Sequence, residues 1–329
     1  MIDIIQLETW YKQHQRSLPF RKSKDPYFIW VSEIMLQQTQ VETVIPYFKK
    51  FIKKYPTIKS LANTDEETLF SVIQGLGYYR RFKNMLKAAN TVHEEHNDVF
   101  PNTYQEIRKL AGIGEYTAGA IMSIAYNKPY AATDGNVIRV IARTYDIEDD
   151  MRIEKNKKKI KLINQKLVED SRPEIFTQAL MELGATICRP LNPDCKICPL
   201  KENCMAFLLN KQNDLPYLSK KKDKKTIHFN VFMVQTDQCI YLRKRTEKLL
   251  GGMYEFPQYE KGETIPFNFK IIEEVGHFKH VFTHLVWEMN VLRVVLTSNP
   301  LEDWIKINKT DIENYPMATA HKKIVNHKG

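Results

Sequence analysis

Four cysteines stand in one 17-residue window, Cys188, Cys195, Cys198 and Cys204, spaced C-x6-C-x2-C-x5-C and interrupted by Pro190, Pro193 and Pro199. No other feature restricts the folding of the 329-residue chain so tightly. Four thiols crowded into a proline-broken loop gain little from one another, so the loop is expected to close around a metal that takes soft sulfur ligands. Zinc is one candidate, since sites of four cysteines serve it well. Its ribbons pair two C-x2-C knuckles across a longer gap, whereas here one knuckle lies between two single cysteines. That spacing favours a [4Fe–4S] cluster in a structural role, with Arg189, Lys196 and Lys201 offered to solvent. The fifth cysteine, Cys239, reads as a small core residue.

The length suits two domains of ordinary size. With 43% hydrophobic and 11% aromatic residues, wholesale disorder is excluded. No apolar run reaches the roughly 20 residues that cross a bilayer. The start, Met1-Ile-Asp-Ile-Ile-Gln-Leu-Glu, lacks the basic opening and long apolar stretch of a secretory signal. A soluble cytoplasmic protein is expected (nucleoid-associated if bacterial), monomeric by default, in a compartment where disulfide frameworks do not form. Forty-nine Lys and Arg against thirty-nine Asp and Glu leave +10, compatible with a polyanionic partner.

The first two hundred residues read as helices. Thr64-Asp-Glu-Glu67 has the pattern of a capping box ahead of Leu69, Phe70, Val72 and Ile73, and the helix is expected to stop at Gly75-Leu-Gly77. Thr103-Tyr-Gln-Glu106 repeats it ahead of Ile107, Leu110 and Gly112. Trp30, Ile34, Val41, Val44 and Ile45 recur at helical spacing, so one or two helices are expected between residues 28 and 50. The run Lys220-Lys-Lys-Asp-Lys-Lys225 cannot bury itself and reads as a linker. Beyond it His228 to Val234, Cys239 to Leu242 and Met289 to Leu296 have strand composition. From Ile227 onward 13 basic residues meet 12 acidic ones, so most of the positive charge belongs to the helical part and the run. The expected organisation is multi-domain: an all-α N-terminal domain over 1–210, a basic linker over 211–226 and an α+β domain over 227–329.

Leu110-Ala-Gly-Ile-Gly-Glu-Tyr-Thr-Ala118 places Gly112 and Gly114 between a helix end and a helix start. Such a turn lets backbone N–H groups approach a phosphate, aided by the helix dipole, so a helix-hairpin-helix is expected around 104–126. Downstream, Asp134 precedes the apolar residues Val137, Ile138, Val140 and Ile141 and reads as an N-cap. A capping carboxylate accepts backbone N–H bonds and is expected to stay ionised, which suits it to face a developing cation.

Glycine hairpin, downstream aspartate and cysteine loop, in this order, resemble the endonuclease III superfamily of DNA glycosylases. Within it, Trp30-Val-Ser-Glu-Ile-Met-Leu-Gln-Gln-Thr-Gln40, Gly75-Leu-Gly-Tyr-Tyr79 and Asp134-Gly-Asn136 look like the MutY-type adenine DNA glycosylases, over about residues 5 to 320. The resemblance implies a helical glycosylase domain with a cluster loop at 188–204 and a Nudix-like C-terminal domain. It implies base excision repair of double-stranded DNA in which adenine is mispaired with 8-oxoguanine or guanine. Glu33 would then be the general acid at adenine N7, kept protonated by an apolar pocket beside Ile34 and Leu36. Asp134 would stabilise an oxocarbenium-like sugar. Tyr116 and Asn136 would orient the sugar and leaving group, and Arg21 and Gln178 would meet the adenine. Gln38 and Tyr78 match residues that wedge into the duplex, and Tyr78 stands beside Arg80 and Arg81. The bifunctional lyases of the superfamily carry a lysine two residues after the second hairpin glycine; here that position is Tyr116, which implies a monofunctional enzyme. Gly251-Gly-Met-Tyr-Glu-Phe-Pro257 resembles the opening of the Nudix-like domain, without the paired glutamates of a working hydrolase after it. Phe282-Thr283-His284 sits where the family places a Phe-Ser-His loop for 8-oxoguanine.

Overall fold

A computed structural model describes residues 1–220, 223–282 and 284–327. They form two compact units, one of residues 1–63 and 84–220, the other of 64–83 and the chain beyond 220. Among the described residues no helix is long and apolar enough to cross a membrane.

The first unit is helical: α1 (Ile4–His14), α2 (Pro26–Leu36), α3 (Val41–Lys54) and α4 (Ile58–Ala62) open it. α5 (Glu66–Val72) belongs to the other unit, and α6 (Arg80–Glu95) contributes from residue 84 onward. Then come α7 (Tyr104–Lys109), α8 (Glu115–Ile124), α9 (Gly135–Thr144), α10 (Glu154–Glu169), α11 (Pro173–Thr186) and α12 (Met205–Leu208). α2 is apolar almost all round, and Ile29 through Met35 are buried, as a helix without a polar face must be. Asp25 caps it and Pro26 opens it, where a missing N–H costs nothing. Val137, Val140 and Ile141 form one stripe of α9 and share a core with Phe176, Leu180 and Leu183 of α11. The approach is tight: a Cβ on Gly184 would lie 2.5 Å from the Cβ of Asn136.

Local signals hold with one shift. Thr103 caps α7, its Oγ1 accepting from the Glu106 N–H at 3.3 Å. Thr64 does not cap α5; Asp65 does, accepting from the Thr68 N–H at 2.8 Å and from its hydroxyl at 2.6 Å. A carboxylate one residue nearer the helix offers a separate oxygen to each donor. Residues 211–219, expected as linker, run along the first unit, because buried Arg143 donates Nε to the Leu215 carbonyl at 2.8 Å and Met151 N–H meets the Tyr217 carbonyl at 2.9 Å.

The second unit holds β1 (Lys225–Val234), β2 (Cys239–Lys244), β3 (Tyr254–Glu255), β4 (Gln258–Glu260), β5 (Phe269–Val281), β6 (Leu285–Leu296), β7 (Trp304–Asn308) and α13 (Thr319–Val325). One sheet runs β4-β1-β6-β5 and the other β3-β2-β7. β1 lies parallel to β6, with Val231 opposite Val291. Val231 packs with Phe256, Trp287 and Met289, while its neighbour Phe232 packs with Phe267, Val294 and Trp304, so the larger sheet has a core on each face. Lys225 already belongs to β1 and pairs with Leu285, so the basic run ends in the sheet. Lys221 and Lys222 lie outside the described residues. Cys239 is half-buried rather than core, because it opens β2 opposite Asn308 at the end of their pairing.

Candidate active site

α2 carries a single charged side chain, Glu33, and only 7% of it is exposed. A lone carboxylate in an apolar helix needs a partner. Tyr116 of α8 supplies it, donating its hydroxyl to Glu33 Oε2 at 2.6 Å. Burial nevertheless pushes the Glu33 carboxyl up to about 7, with the Asp134 charge adding to the rise and the Tyr116 bond and Arg21 opposing it. Burial and the two carboxylates hold the Tyr116 hydroxyl well above its ordinary range, so it remains a donor.

Asp134 caps α9 as expected: Oδ1 accepts from the Val137 N–H at 2.7 Å and Oδ2 from Asn136 Nδ2 at 2.8 Å. Its expected easy ionisation is not met. Burial raises its carboxyl above the ordinary range against those bonds and against the nearby Arg139 charge, because desolvation outweighs them.

One cavity of about 680 Å³ gathers these groups. Glu33, Tyr116, Asp134 and Asn136 line it, and so do Arg21, Leu36, Gln38 and Gln178. Gln178 accepts from the Tyr11 hydroxyl at 3.2 Å, and Arg21 lies over the Tyr11 ring with Nη1 buried and unpartnered among the described residues. An unsatisfied guanidinium nitrogen at a cavity wall is a ready donor for a ligand acceptor. Gln38 has φ of +57°, a left-handed backbone uncommon for a side chain of its size.

Three functional neighbours escaped the sequence reading. Glu182, fully buried on α11, accepts from the Arg16 backbone N–H, Nε and Nη2 and from Arg21 Nη2. Burial works against its ionisation, yet these guanidinium bonds hold it down to about 2. Arg139 donates Nη2 to Asn136 Oδ1 and to the Gly184 carbonyl, both at 2.8 Å, and Nε to the Cys188 carbonyl at 2.7 Å. It thereby aims the Asn136 amide at Asp134. One turn later Arg143 donates Nη1 to Cys188 Sγ at 3.3 Å. All three are visible as isolated charges inside apolar helical runs.

Cys188, Cys195, Cys198 and Cys204 line one small cavity of about 20 Å³. Burial pushes the Cys198 thiol up to about 12, and the other three cysteines add to the rise. No three His, Cys, Asp or Glu among the described residues converge on a single-ion site. In the hairpin, Gly112 has φ of +78°, and a Cβ there would lie 2.7 Å from the Asn84 Cβ, so a side chain is excluded twice. Gly114 caps α8 with open space where a Cβ would stand.

The remaining expected residues belong to the second unit. Tyr78 is 49% exposed and, like Gln38, left-handed, with φ of +51°. Phe282 packs edge-on against Trp287 and His280, with ring centroids 4.9 and 4.6 Å away, so it anchors its loop. Lys224 Nζ donates to the Phe282 carbonyl at 2.7 Å. His284 is exposed, and Thr283 lies outside the described residues.

Comparison with known proteins gives two family matches. Residues 31–170 match the HhH-GPD superfamily of base excision DNA repair proteins, and 230–327 match the NUDIX domain. The chain is 39% identical to the adenine DNA glycosylase of Buchnera aphidicola subsp. Baizongia pistaciae over 320 residues, covering 92% of this chain and 86% of that protein. Its fold resembles a thermostable thymine-DNA glycosylase with a TM-score of 0.57 at 27% identity, over 63% of this chain and 95% of that one. It also resembles endonuclease III, solved in a non-covalent complex with DNA, with a TM-score of 0.52 at 23% identity, over 64% and 99%.

Proposed function

The chain belongs to the adenine DNA glycosylase family, and we propose that it is a monofunctional enzyme that hydrolyses the N-glycosidic bond of adenine opposite 8-oxoguanine or guanine in double-stranded DNA. One observation carries the reading: two carboxyl groups from distant stretches, Glu33 and Asp134, line one cavity. Protonated Glu33 gives its proton to adenine N7 as the bond from the sugar to N9 breaks, so the base leaves neutral. The bonding electrons depart with adenine, and the deoxyribose becomes an oxocarbenium-like cation. Asp134, held by the Val137 N–H and the Asn136 amide, faces that cation, whose approach draws its carboxyl toward the ionised form. Water then adds to the sugar and returns a proton to Glu33. A positioned acid contributes roughly 10²–10⁴ in rate, and preorganised charge at Asp134 supplies a comparable share. Arg21 and Gln178 receive the adenine, which must leave the stack at a cost of a few kcal/mol. Gln38 and Tyr78 each wedge into the duplex, a reading supported by the left-handed backbone at both positions. The loop of Phe282, Thr283 and His284 reads 8-oxoguanine.

Cys188, Cys195, Cys198 and Cys204 would hold a [4Fe–4S] cluster. Their chemistry fits: four soft sulfur donors line one cavity, and burial pushes the Cys198 thiol up, so its thiolate needs a metal to stabilise it. Such a group supplies a rigid cross-link for the loop. A purified sample should contain iron and absorb visible light, and a colourless, zinc-loaded sample would overturn this assignment.

The function is tested by single-turnover reactions on duplexes carrying adenine opposite 8-oxoguanine, guanine and thymine. Abasic sites should form opposite the first two, strands should break only after alkali, and borohydride should trap no adduct. Wild-type excision by both Glu33→Gln and Asp134→Asn would overturn the mechanism.

A further inference from the structure

Beside the active-site cavity, and sharing Tyr116 and Thr133 with it, lies a second opening of about 710 Å³. Its walls come from Tyr104 and Arg108 of α7, Gly114 and Glu115 at the start of α8, and Lys158 and Lys161 of α10. α10 is strongly basic, with six lysines against two glutamates. Lys158, Lys161, Leu162 and Gln165 recur at the spacing of one helix face, and all four line the opening. Lys158 is exposed and makes no ion pair among the described residues. Lys161 pairs with Glu115 at 3.1 Å and Glu154 at 3.0 Å, with 38% of its side chain exposed. Exposed pairs of this kind contribute little, so a phosphate can displace them. Tyr104 lies flat on Tyr130, ring centroids 4.7 Å apart, and forms a rigid aromatic wall. The open space at Gly114 leaves the N-terminal end of α8 accessible from the groove.

The geometry points to a second phosphate track: this groove takes the DNA backbone next to the extruded nucleotide, with Lys158 and Lys161 on successive phosphates. The two lysines are spaced ~4.5 Å along the helix axis, within reach of neighbouring phosphates for side chains of that length. A strand fits better than a mononucleotide, because the two lysines stand three positions apart on one helix face and each can hold a phosphate. The inference rests on the DNA substrate proposed above.

The test is a salt titration of affinity for a duplex carrying adenine opposite 8-oxoguanine. The variants are Lys158→Gln with Lys161→Gln, and, as a control, Lys159→Gln with Lys166→Gln on another face of the same helix. Losing two phosphate contacts should flatten the slope of log affinity against log salt by about 1.8. From 50 to 200 mM salt the wild type should therefore lose about 12-fold more affinity than the groove variant. The control pair should change the slope by less than half as much. An unchanged slope in the groove variant, or equal slopes in the two variants, overturns the track. A wild type that shows no salt-dependent binding at all would instead sink the DNA reading.

Discussion

Glu33 and Glu182 line the same cavity and are both buried, yet one is pushed up to about 7 and the other held down to about 2. Their surroundings account for the difference. Glu33 has a neutral hydroxyl for its hydrogen-bond partner among the described residues and feels the Asp134 charge, so burial prevails. Glu182 receives the forked guanidinium of Arg16 and one arm of Arg21, and ionisation prevails. The same residue type thus becomes a proton donor on one wall and a fixed anion on the other. Burial creates the acid, and guanidinium bonds remove it.

The largest effect that can break this comparison is on rate. Glu33→Gln should lower single-turnover excision by about 10²–10⁴. In the wild type the rate should fall about tenfold per pH unit above roughly 7, because the acid must be protonated and loses its proton there. Glu182→Gln should keep that limb; if it moves the limb, Glu182 shares the acid role and the contrast fails.

Stability should separate the two glutamates in opposite senses. Between pH 4.5 and about 7 the folded state holds a proton on Glu33 that the unfolded chain has released, so this group's contribution falls as pH rises through that window. Glu33→Gln should therefore stabilise the protein at pH 8, by on the order of 1–3 kcal/mol, and hardly at pH 4.5, measured by urea unfolding. Glu182 has the depressed value, and its contribution is present above pH 4.5 and lost as pH falls toward 2. Arg16→Gln should destabilise at pH 7 by about 1–2 kcal/mol and less near pH 3. That is below the cost of breaking a fully buried pair, because Arg21 remains and Arg16 is 32% exposed. The smallest effect sharpens the Glu33 side. Tyr116→Phe removes a bond that favours the ionised carboxylate, so the alkaline limb should move up, by about one pH unit or less.

Much of this was legible along the chain because the signals are local. Asp134 before an apolar stripe is a cap wherever α9 packs, and the cysteine spacing admits few readings other than a metal loop. Gly112 follows from a turn that needs positive φ. Other features resisted. The Thr64 and Asp65 patterns overlap, and one residue of register decides which caps. Segment 64–83, which carries Tyr78, groups with the second unit through contacts such as Gln74 Nε2 to the Tyr315 carbonyl at 3.2 Å, 241 positions away. Phe282 carries no mark in the sequence that it packs on Trp287.

Residue order alone marks several helices and strands, the Thr103 and Asp134 caps, the hairpin turn and the sulfur donors, since these depend on neighbours a few positions away. Packing chooses which carboxyl keeps its proton. Arg16 meets Glu182 across 166 positions and Tyr116 meets Glu33 across 83, and the charge each acid carries depends on the solvent excluded and the donors assembled there. Desolvation and hydrogen bonding are properties of a place in space, and no stretch of chain holds them until the elements have packed.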